Sequence, residues 1–189
     1  MSGANQLPDT MTVDMFLDWS PQGSDRWELI DGTPTAMAPA SPRHGAIQGE
    51  VGRLIGNHLA DTRPACRVVI EPGVQPKIRA SLNVRVPDLA ITCTPPGPDD
   101  TLLQQPLIVV EILSRSNRAE TWANVWSYVT IPSVQEILVL HTAEIRADLL
   151  RRQPGGAWPD NPITLTSDDA VILESIEFTT PLAALYRTA

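Results

Sequence analysis

The sequence contains little lysine, few cysteines and few aromatic residues. Lys77 is its only lysine, its cysteines are Cys66 and Cys93, and aromatic side chains make up 5% of its 189 residues. The two cysteines lack the spacing of zinc ligands, which argues against a zinc module, and we expect a reduced pair that behaves as small hydrophobes. No apolar run approaches 18 residues, so no transmembrane helix is predicted.

Several functional signatures are also missing. Residues 1–10 have neither the basic region nor the apolar core of a signal peptide, so we expect a cytoplasmic protein. The sequence has no P-loop and no dinucleotide fingerprint, and Ser114 lacks the glycines of an esterase elbow. The length fits one domain, which we assign to residues 12–189, after a flexible N-terminus over residues 1–11.

The distribution of charge sets the middle of the chain apart. A net charge of −8 argues against a general nucleic-acid binder, because such proteins are usually basic. Residues 1–31 and residues 119–189 each carry a net −5, whereas residues 32–118 hold seven acids and nine bases, a net +2. The only basic segment is therefore the one that carries Asp88 and Glu111.

The pattern of apolar residues predicts a mixed α/β sheet with helices packed against it. Asp31-Gly32 predicts a hairpin turn, Ser41-Pro42 predicts a helix start, and Asn117 with Glu120 predicts a capping box. Trp122 and Trp126 are expected to face the core. The predicted helices lie at residues 12–19, 42 to beyond 59, 118–130 and 181–186, and the predicted strands at 27–30, 35–37, 67–70, 74–78, 84–91, 106–113, 136–141, 144–150 and 170–173.

Asp88 and Glu111 are carboxylates in strongly apolar surroundings. Asp88 lies in the run Val-Pro-Asp-Leu-Ala-Ile, and Glu111 lies near the end of a predicted strand that is apolar on both faces. Buried carboxylates are costly unless they share a cation or a proton. Adjacent strands carrying such a pair are typical of a site that holds magnesium against a phosphate. The alternative for Asp88 is a residue that caps a turn at a strand end.

Four short motifs follow one another in an informative order. They are Trp27-Glu28-Leu29-Ile30-Asp31-Gly32, Ser41 with His44, Pro87-Asp88, and Val109-Val110-Glu111-Ile112-Leu113-Ser114. In this order and spacing they resemble the Uma-type putative restriction endonucleases of the PD-(D/E)XK nuclease superfamily. The resemblance covers about residues 12–150 and implies a restriction-endonuclease-like fold, in which a mixed β-sheet is flanked by helices.

The resemblance also implies a chemistry. It implies an endonuclease that uses Mg²⁺ or Mn²⁺ to hydrolyse phosphodiester bonds, with DNA as the partner. Asp88 and Glu111 would be metal ligands, and Glu28 would be a helper carboxylate that acts on metal-bound water or a second ion. The alternative for Glu28 is a solvated glutamate on a strand.

Histidines offer a further candidate. His44 lies one turn before Ile47, which places it on the buried face of its helix near the positive end of the dipole. A neutral imidazole there could bond a site carboxylate or approach a phosphate, and a satisfied core histidine is the competing interpretation. His58 and His141 have no carboxylate pattern nearby, and we expect them to be structural.

The superfamily lysine is absent. Its usual position, two residues after the glutamate, is Leu113. The resembling family often places the lysine one turn before a tyrosine, and here Asn124 stands one turn before Tyr128. Asn124 could orient a water but cannot neutralise a phosphate. The substitutes that the sequence offers are Lys77, Arg115 and Arg118.

Two other functions therefore stay open at this stage. The same fold could be catalytically inactive and act through binding or assembly, which the loss of the lysine and the acidic charge favour. A small-substrate phosphoesterase would tolerate an acidic surface better than a DNA enzyme. The sequence leaves a homodimer open as well.

Overall fold

A computed structural model describes residues 10–19, 26–114 and 117–189. Arg115 and most of the expected flexible N-terminus therefore lie outside the described residues, whereas Met11 is buried and donates to the Gly32 carbonyl at 2.7 Å. The helices are α1 (Val13–Asp18), α2 (Pro42–Thr62) and α3 (Arg118–Tyr128). The strands are β1 (Trp27–Ile30), β2 (Thr33–Ala36), β3 (Arg67–Ile70), β4 (Leu89–Thr92), β5 (Ile108–Leu113), β6 (Glu136–His141), β7 (Arg146–Arg151), β8 (Ile163–Thr166), β9 (Ala170–Leu173) and β10 (Phe178–Pro181). Short 3₁₀ helices span Ala80–Leu82, Glu174–Ile176 and Leu182–Tyr186.

The centre of the fold is a six-stranded sheet in the order β3-β4-β5-β6-β7-β8. All neighbouring strands are antiparallel except β5 and β6, which are parallel and are connected through α3. Two separate hairpins, β1-β2 and β9-β10, flank the sheet. The expected mixed sheet flanked by helices is confirmed. No helix in the described ranges is long and apolar enough to cross a membrane.

Strand β5 divides the core into two layers. Its even positions, including Val110 and Ile112, pack with α2 in one apolar cluster. Its odd positions Val109 and Leu113 pack with Val125 of α3 in the other cluster. Because side chains alternate along a strand, Glu111 must point to the α3 side. The fold thus places this acid between the sheet and α3.

Helix α2 carries its apolar residues on the sheet side and a line of glycines beside it. Gly52 lies close to β3 and β4, because an added Cβ would come within 3.4 Å of Ile70 and Leu89 side-chain atoms. The other glycines of this line are Gly45, Gly49 and Gly56, which together with Gly52 line a groove along β3. Small residues allow a helix to approach a sheet closely.

Local signals predicted several boundaries correctly. The Ser41 hydroxyl accepts from His44 N at 3.2 Å, and Thr12 accepts from Met15 N at 3.3 Å, so both predicted caps are confirmed. Asp31 and Gly32 have φ of 49° and 85°, which is the pair of positive values that a tight hairpin turn requires. Each of these features depends on residues that are close in sequence.

The strands before Asp88 are shorter than predicted. Residues 74–78 form no strand and make one bridge, in which Val74 pairs with Arg85. Pro76 has no N–H to continue the pairing. The predicted strand over residues 84–91 is wrong in the same way, because Pro87 interrupts it and β4 begins only at Leu89. Asp88 therefore stands immediately before its strand.

Two expectations about side chains are wrong. Cys66 and Cys93 form a disulfide, because they extend the β3-β4 pairing of Arg67 with Thr92 by one residue and face each other. Trp126 is 46% exposed rather than buried, although Trp122 packs on the core.

The capping box at α3 is also absent. Asn117 makes no side-chain cap for α3, and its Oδ1 instead accepts from the backbone and hydroxyl of Ser114, each at 2.8 Å. Glu120, the other expected member of the box, is exposed. The Asn117 side chain therefore bonds Ser114, the residue that follows β5, instead of the first turn of α3.

Candidate metal and phosphate site

Asp88 is fixed from two directions at the start of β4. Its Oδ2 accepts a hydrogen bond of 2.6 Å from Ile112 N of β5, and its Oδ1 lies 2.7 Å from His44 Nε2. The residue is 9% exposed. His44 is held in turn by the Ser41 cap in the first turn of α2. The expected contact between His44 and a site carboxylate is therefore present.

Glu111 lies beside Asp88 on the α3 side of the sheet. Tyr128 of α3 donates a hydrogen bond of 2.7 Å to Glu111 Oε1, and both residues are buried. Burial raises the pKa of Glu111 well above its usual value of 4.5, and the charge of Asp88 and a hydrogen bond with it raise the pKa further. A cation beside these two carboxyl groups would oppose this rise.

Glu28 completes the group from β1. Its Oε1 accepts from Val86 N at 2.7 Å and from Asn124 Nδ2 at 3.4 Å. Burial raises the pKa of Glu28 above 4.5, against the opposing effects of the Val86 hydrogen bond and other neighbours. The structure thus brings all the candidate residues to one place: Glu28, His44, Asp88, Glu111 and Asn124.

The fit of this group to a divalent ion rests on two of the carboxylates. Within the described ranges, no set of three or more His, Cys, Asp and Glu side chains is arranged to hold a metal ion. Mg²⁺ commonly takes only one or two protein carboxylates and retains several waters. Asp88 and Glu111 fit that requirement, because an ion between them would offset the repulsion that raises the pKa of Glu111. Glu28 is directed to Val86 and Asn124 instead.

Two of the substitutes proposed for the missing lysine, Lys77 and Arg118, do not lie in this group. Lys77 is exposed, and its backbone N–H bonds to Thr130. Arg118 is exposed and lines a separate pocket with His141. The position of the motif lysine, Leu113, is buried in the apolar layer below α3.

Sequence analysis overlooked Arg85, a cation beside the site. Arg85 is 7% exposed, and its charge acts on both Glu28 and Tyr128. One signal for it was present in the sequence: an arginine between Val84 and Val86, in an apolar stretch that leads directly to Pro87-Asp88. A charged residue in such a stretch is rarely buried without a purpose.

His141 contacts a carboxylate that no pattern in the sequence indicated. His141 Nε2 lies 2.8 Å from Asp148 Oδ2 across the β6-β7 hairpin. Thr164 donates to the other oxygen of Asp148 at 2.9 Å. Burial would raise the pKa of Asp148, but the hydrogen bonds from His141 and Thr164 lower it below its usual range. His58, the third histidine, bonds the Ile176 carbonyl at 2.8 Å.

A mixed sheet with an acidic group between β1, β4, β5 and two helices defines a nuclease-like fold. The fold matches the crystal structure of a putative nuclease belonging to DUF820 from Anabaena variabilis with a TM-score of 0.76, at 19% identity, covering 94% of this chain and 98% of that one. The sequence profile of Uma2, described as a putative restriction endonuclease, matches residues 13–183, and the chain belongs to this family. An uncharacterized protein of Synechocystis sp. is 25% identical over 179 residues, which cover 94% of this chain and 92% of that protein.

Proposed function

We propose that this chain is a divalent-metal-dependent DNA endonuclease in which Asp88 and Glu111 hold the metal ion. The observation that carries the proposal is the proximity of these two buried carboxyl groups, because the charge of Asp88 raises the pKa of Glu111 and a cation between them would offset that repulsion. Membership in Uma2 supports the nuclease chemistry. When bound, Mg²⁺ or Mn²⁺ would lower the pKa of a coordinated water and neutralise charge on the phosphate.

The surrounding residues hold the two ligands in fixed positions. Hydrogen bonds from His44 and Ile112 N determine where the two oxygens of Asp88 lie. The Tyr128 hydroxyl does the same for Glu111 Oε1. Ligands that are already oriented need little reorganisation when the charge of the ion arrives.

Glu28 is the helper carboxylate in this proposal. Its raised pKa brings it closer to neutral pH, where a carboxylate can accept a proton from an attacking water. Asn124 contacts Glu28 at 3.4 Å and orients either that carboxylate or the water beside it. Asn124 carries no charge, so it cannot replace the lysine that is missing from this helix.

Two rivals rest on specific observations. Leu113 and Asn124 occupy the two places where the related motifs have a lysine, which favours a catalytically inactive binding module. The net charge of −8 favours a small phosphoester over DNA. The experiments below separate both from the leading proposal.

We also propose that residues 12–189 act as one domain, since one continuous sheet links β3 to β8. Cytoplasmic placement stays a prediction. The Cys66–Cys93 bond bears on it, because disulfides are rare in a reducing cytosol. Alkylation of the protein inside cells, before lysis, would report whether these thiols are free.

Thermal melts with and without Mn²⁺ test the metal site. We expect Mn²⁺ to raise the melting temperature, because the ion relieves the repulsion between Asp88 and Glu111. Asp88→Asn and Glu111→Gln should each remove the shift. Glu120→Gln, an exposed acid on α3, is the matched control and should retain it. An unchanged shift in both site variants would place the ion elsewhere.

Cleavage assays in Mg²⁺ test the substrate. We expect nicking or linearisation of plasmid DNA, and its loss in Asp88→Asn. Bis-p-nitrophenyl phosphate serves as a small phosphodiester in parallel. Hydrolysis of this ester alone would favour the phosphoesterase. Stabilisation by metal without hydrolysis of either substrate would favour the inactive module.

A further inference from the structure

We propose that the Arg85 guanidinium is an anion subsite that binds a phosphate of the nucleic-acid backbone next to Asp88 and Glu111. This inference deepens the proposed function and rests on it for the identity of the substrate. Arg85 would supply the cation that the chain lacks at Leu113 and Asn124. The argument depends on the direction of the side chain, its burial and its lack of partners.

The backbone on both sides of Arg85 determines where its side chain points. Arg85 N donates to the Val74 carbonyl at 2.9 Å, and Val74 N donates to the Arg85 carbonyl at 2.8 Å. On the other side, Leu29 and Val84 exchange hydrogen bonds of 2.9 and 3.0 Å in an antiparallel bridge. One residue further along this register, Glu28 stands opposite Arg85. Directly opposed residues point to the same face, so Arg85 is directed to the side of Glu28.

Electrostatics place the guanidinium at the same location. Burial raises the pKa of Glu28 and of Tyr128, and the Arg85 charge opposes the rise in both cases. Tyr128 bonds Glu111, so the Arg85 charge acts on Glu28 and on a direct partner of Glu111. It nevertheless forms no ion pair with any of them among the described residues. Glu28 already directs its Oε1 to Val86 and Asn124.

The guanidinium lacks partners, unlike the other arginines in this fold that are largely shielded from water. Its Nε is fully buried and without a hydrogen-bond partner, and no side-chain hydrogen bond or ion pair joins Arg85 to any residue of ranges 10–19, 26–114 and 117–189. By contrast, Arg151 donates to Glu136 at 2.9 Å, and Arg152 donates to two backbone carbonyls, each at less than 3 Å. A guanidinium that is largely shielded from water and has no anion in direct contact would be stabilised by an incoming anion.

The chemistry of the group selects a phosphate. A guanidinium offers parallel N–H donors that match two oxygens of one phosphate, and it stays protonated near acidic groups. It therefore clamps negative charge and cannot act as the base. Beside a metal held by Asp88 and Glu111, it would bind a non-bridging oxygen and stabilise the charge that develops there during cleavage.

Binding of inorganic phosphate provides the direct test. Melting temperatures of the full chain are measured in four conditions: buffer, Mn²⁺, phosphate, and both. We expect phosphate to add a further shift to the wild type. Arg85→Gln should lose this phosphate increment and keep the Mn²⁺ shift. Arg79→Gln is the matched control, because it removes an exposed arginine upstream of the same segment and should keep both shifts. Arg85→Lys retains the charge and should keep part of the increment.

Nucleic acid provides the second arm. A fluorescent DNA duplex in Ca²⁺, which permits binding without turnover, should bind more weakly to Arg85→Gln than to Arg79→Gln. In Mg²⁺, cleavage by Arg85→Gln should fall by about 10²-fold or more in kcat, and Arg85→Lys should recover part of it. A loss of phosphate binding without a loss of DNA affinity would assign the subsite to free phosphate instead of a backbone, which would overturn the DNA part of the inference.

The outcomes separate this inference from the proposed function. A wild type without any Mn²⁺ shift defeats the metal proposal, whereas a phosphate shift that Arg85→Gln still abolishes upholds the anion subsite. If Arg85→Gln retains the full phosphate increment, or if the wild type shows none, the subsite is wrong whatever the metal does. If Arg85→Gln fails to fold, Arg85→Lys replaces it in the test. A phosphate increment in Arg85→Lys equal to that of the wild type would show that the parallel N–H donors of the guanidinium are not needed. That result would reject two-point binding of phosphate by Arg85.

Discussion

Glu50 and Glu111 are both buried glutamates, 5% and 7% exposed, and the protein treats them in opposite ways. Each oxygen of Glu50 receives hydrogen bonds from both Arg53 and Arg187, with the closest contacts at 2.7 and 2.8 Å. These bonds lower the pKa of Glu50 to about 2. Glu111 instead contacts a phenol and another carboxyl group, and its pKa is raised. Arginine thus contacts Glu50 and neutralises it, whereas no described arginine contacts Glu111.

The surroundings of Glu50 stabilise the fold, whereas those of Glu111 do not. A cation in contact with Glu111 would stabilise the empty protein but would also occupy the place of a metal ion. Among the described residues, Arg85 is a cation near this site, and it makes no ion pair there. Natural sites commonly retain such unfavourable contacts because a ligand resolves them. Substitutions at Glu50, at Glu111 and at the neighbours of Glu111 test this difference.

The largest expected effect is on cleavage. Glu111→Gln should lower the cleavage rate by about a thousandfold, because it removes a charged ligand at the reacting phosphate. Glu50→Gln should leave the rate per folded molecule unchanged. Single-turnover cleavage with the folded fraction measured by circular dichroism checks both. Equal losses in the two variants would show that Glu111 acts only through the fold.

A cation introduced beside Glu28 would give the site a basic side chain next to a buried acid, as Glu50 already has. Asn124→Lys places an ammonium next to Glu28 and should raise the cleavage rate by about tenfold, through added charge at the phosphate. The gain must vanish in Asn124→Lys combined with Asp88→Asn. Plasmid cleavage by the wild type and by both variants provides the measurement. A fast wild type that gains nothing would indicate that a working cation is already present.

The same glutamate-to-glutamine change should have opposite effects on metal-free stability. At pH near 8, Glu111→Gln should raise the melting temperature by a few degrees, as roughly 1 kcal/mol does in a domain of this size, because the buried charge disappears. Glu50→Gln should lower the melting temperature, because it leaves two guanidinium groups poorly paired. Calorimetry in EDTA measures both. A fall in both variants would contradict the contrast between the two acids.

The two acids should also respond to pH in opposite directions. The pKa of Glu111 is raised above 4.5 in the fold, so its protonation stabilises the protein fully below pH 4.5, and this contribution is lost as pH rises through the raised pKa. The pKa of Glu50 is lowered to about 2, so its contribution is present above 4.5 and is lost as pH falls toward 2. Melts across pH for the wild type, Glu111→Gln and Glu50→Gln separate the two. The Mn²⁺ shift should grow with pH in the wild type, because the ion needs the ionised carboxylates.

The smallest effect is expected from the phenol that bonds Glu111. Tyr128→Phe removes a hydrogen bond that lowers the pKa of Glu111, so the pH at which cleavage and the Mn²⁺ shift appear should move upward. The loss in stability should be about 1 kcal/mol. A pH–rate profile of this variant against the wild type measures the move. An unchanged profile would mean that another group controls the titration.

Sequence alone predicted most of the sheet and every acid of the candidate site. The ordered motifs singled out Glu28, Asp88 and Glu111, which the structure brings together, and their roles as metal ligands and helper stay predictions. His44 was located from helical spacing and the Ser41 cap. Asn124 followed from its position one turn before Tyr128, and it indeed contacts Glu28. In each case the information lies within a few residues along the chain.

The failures concern pairs that only tertiary structure brings together. Arg85 faces Glu28 across 57 positions of sequence, a pairing that follows from the Leu29–Val84 bridge. The Cys66–Cys93 bond and the His141–Asp148 contact likewise depend on strand register. Trp126 matched the apolar stripe of α3, but it is 46% exposed in the folded protein. No periodicity in the sequence encodes these matches.

The glycine line of α2 has a consequence for the order of folding. A glycine in a helix interior costs about 1 kcal/mol relative to alanine, and this helix carries Gly45, Gly49, Gly52 and Gly56. An isolated segment with this composition would remain largely coil. The helix can therefore form only when the sheet is present to receive it, so His44 reaches Asp88 late. Hydrogen exchange of the α2 amides should accordingly follow global unfolding, and the acidic group would be assembled only in molecules that have finished folding.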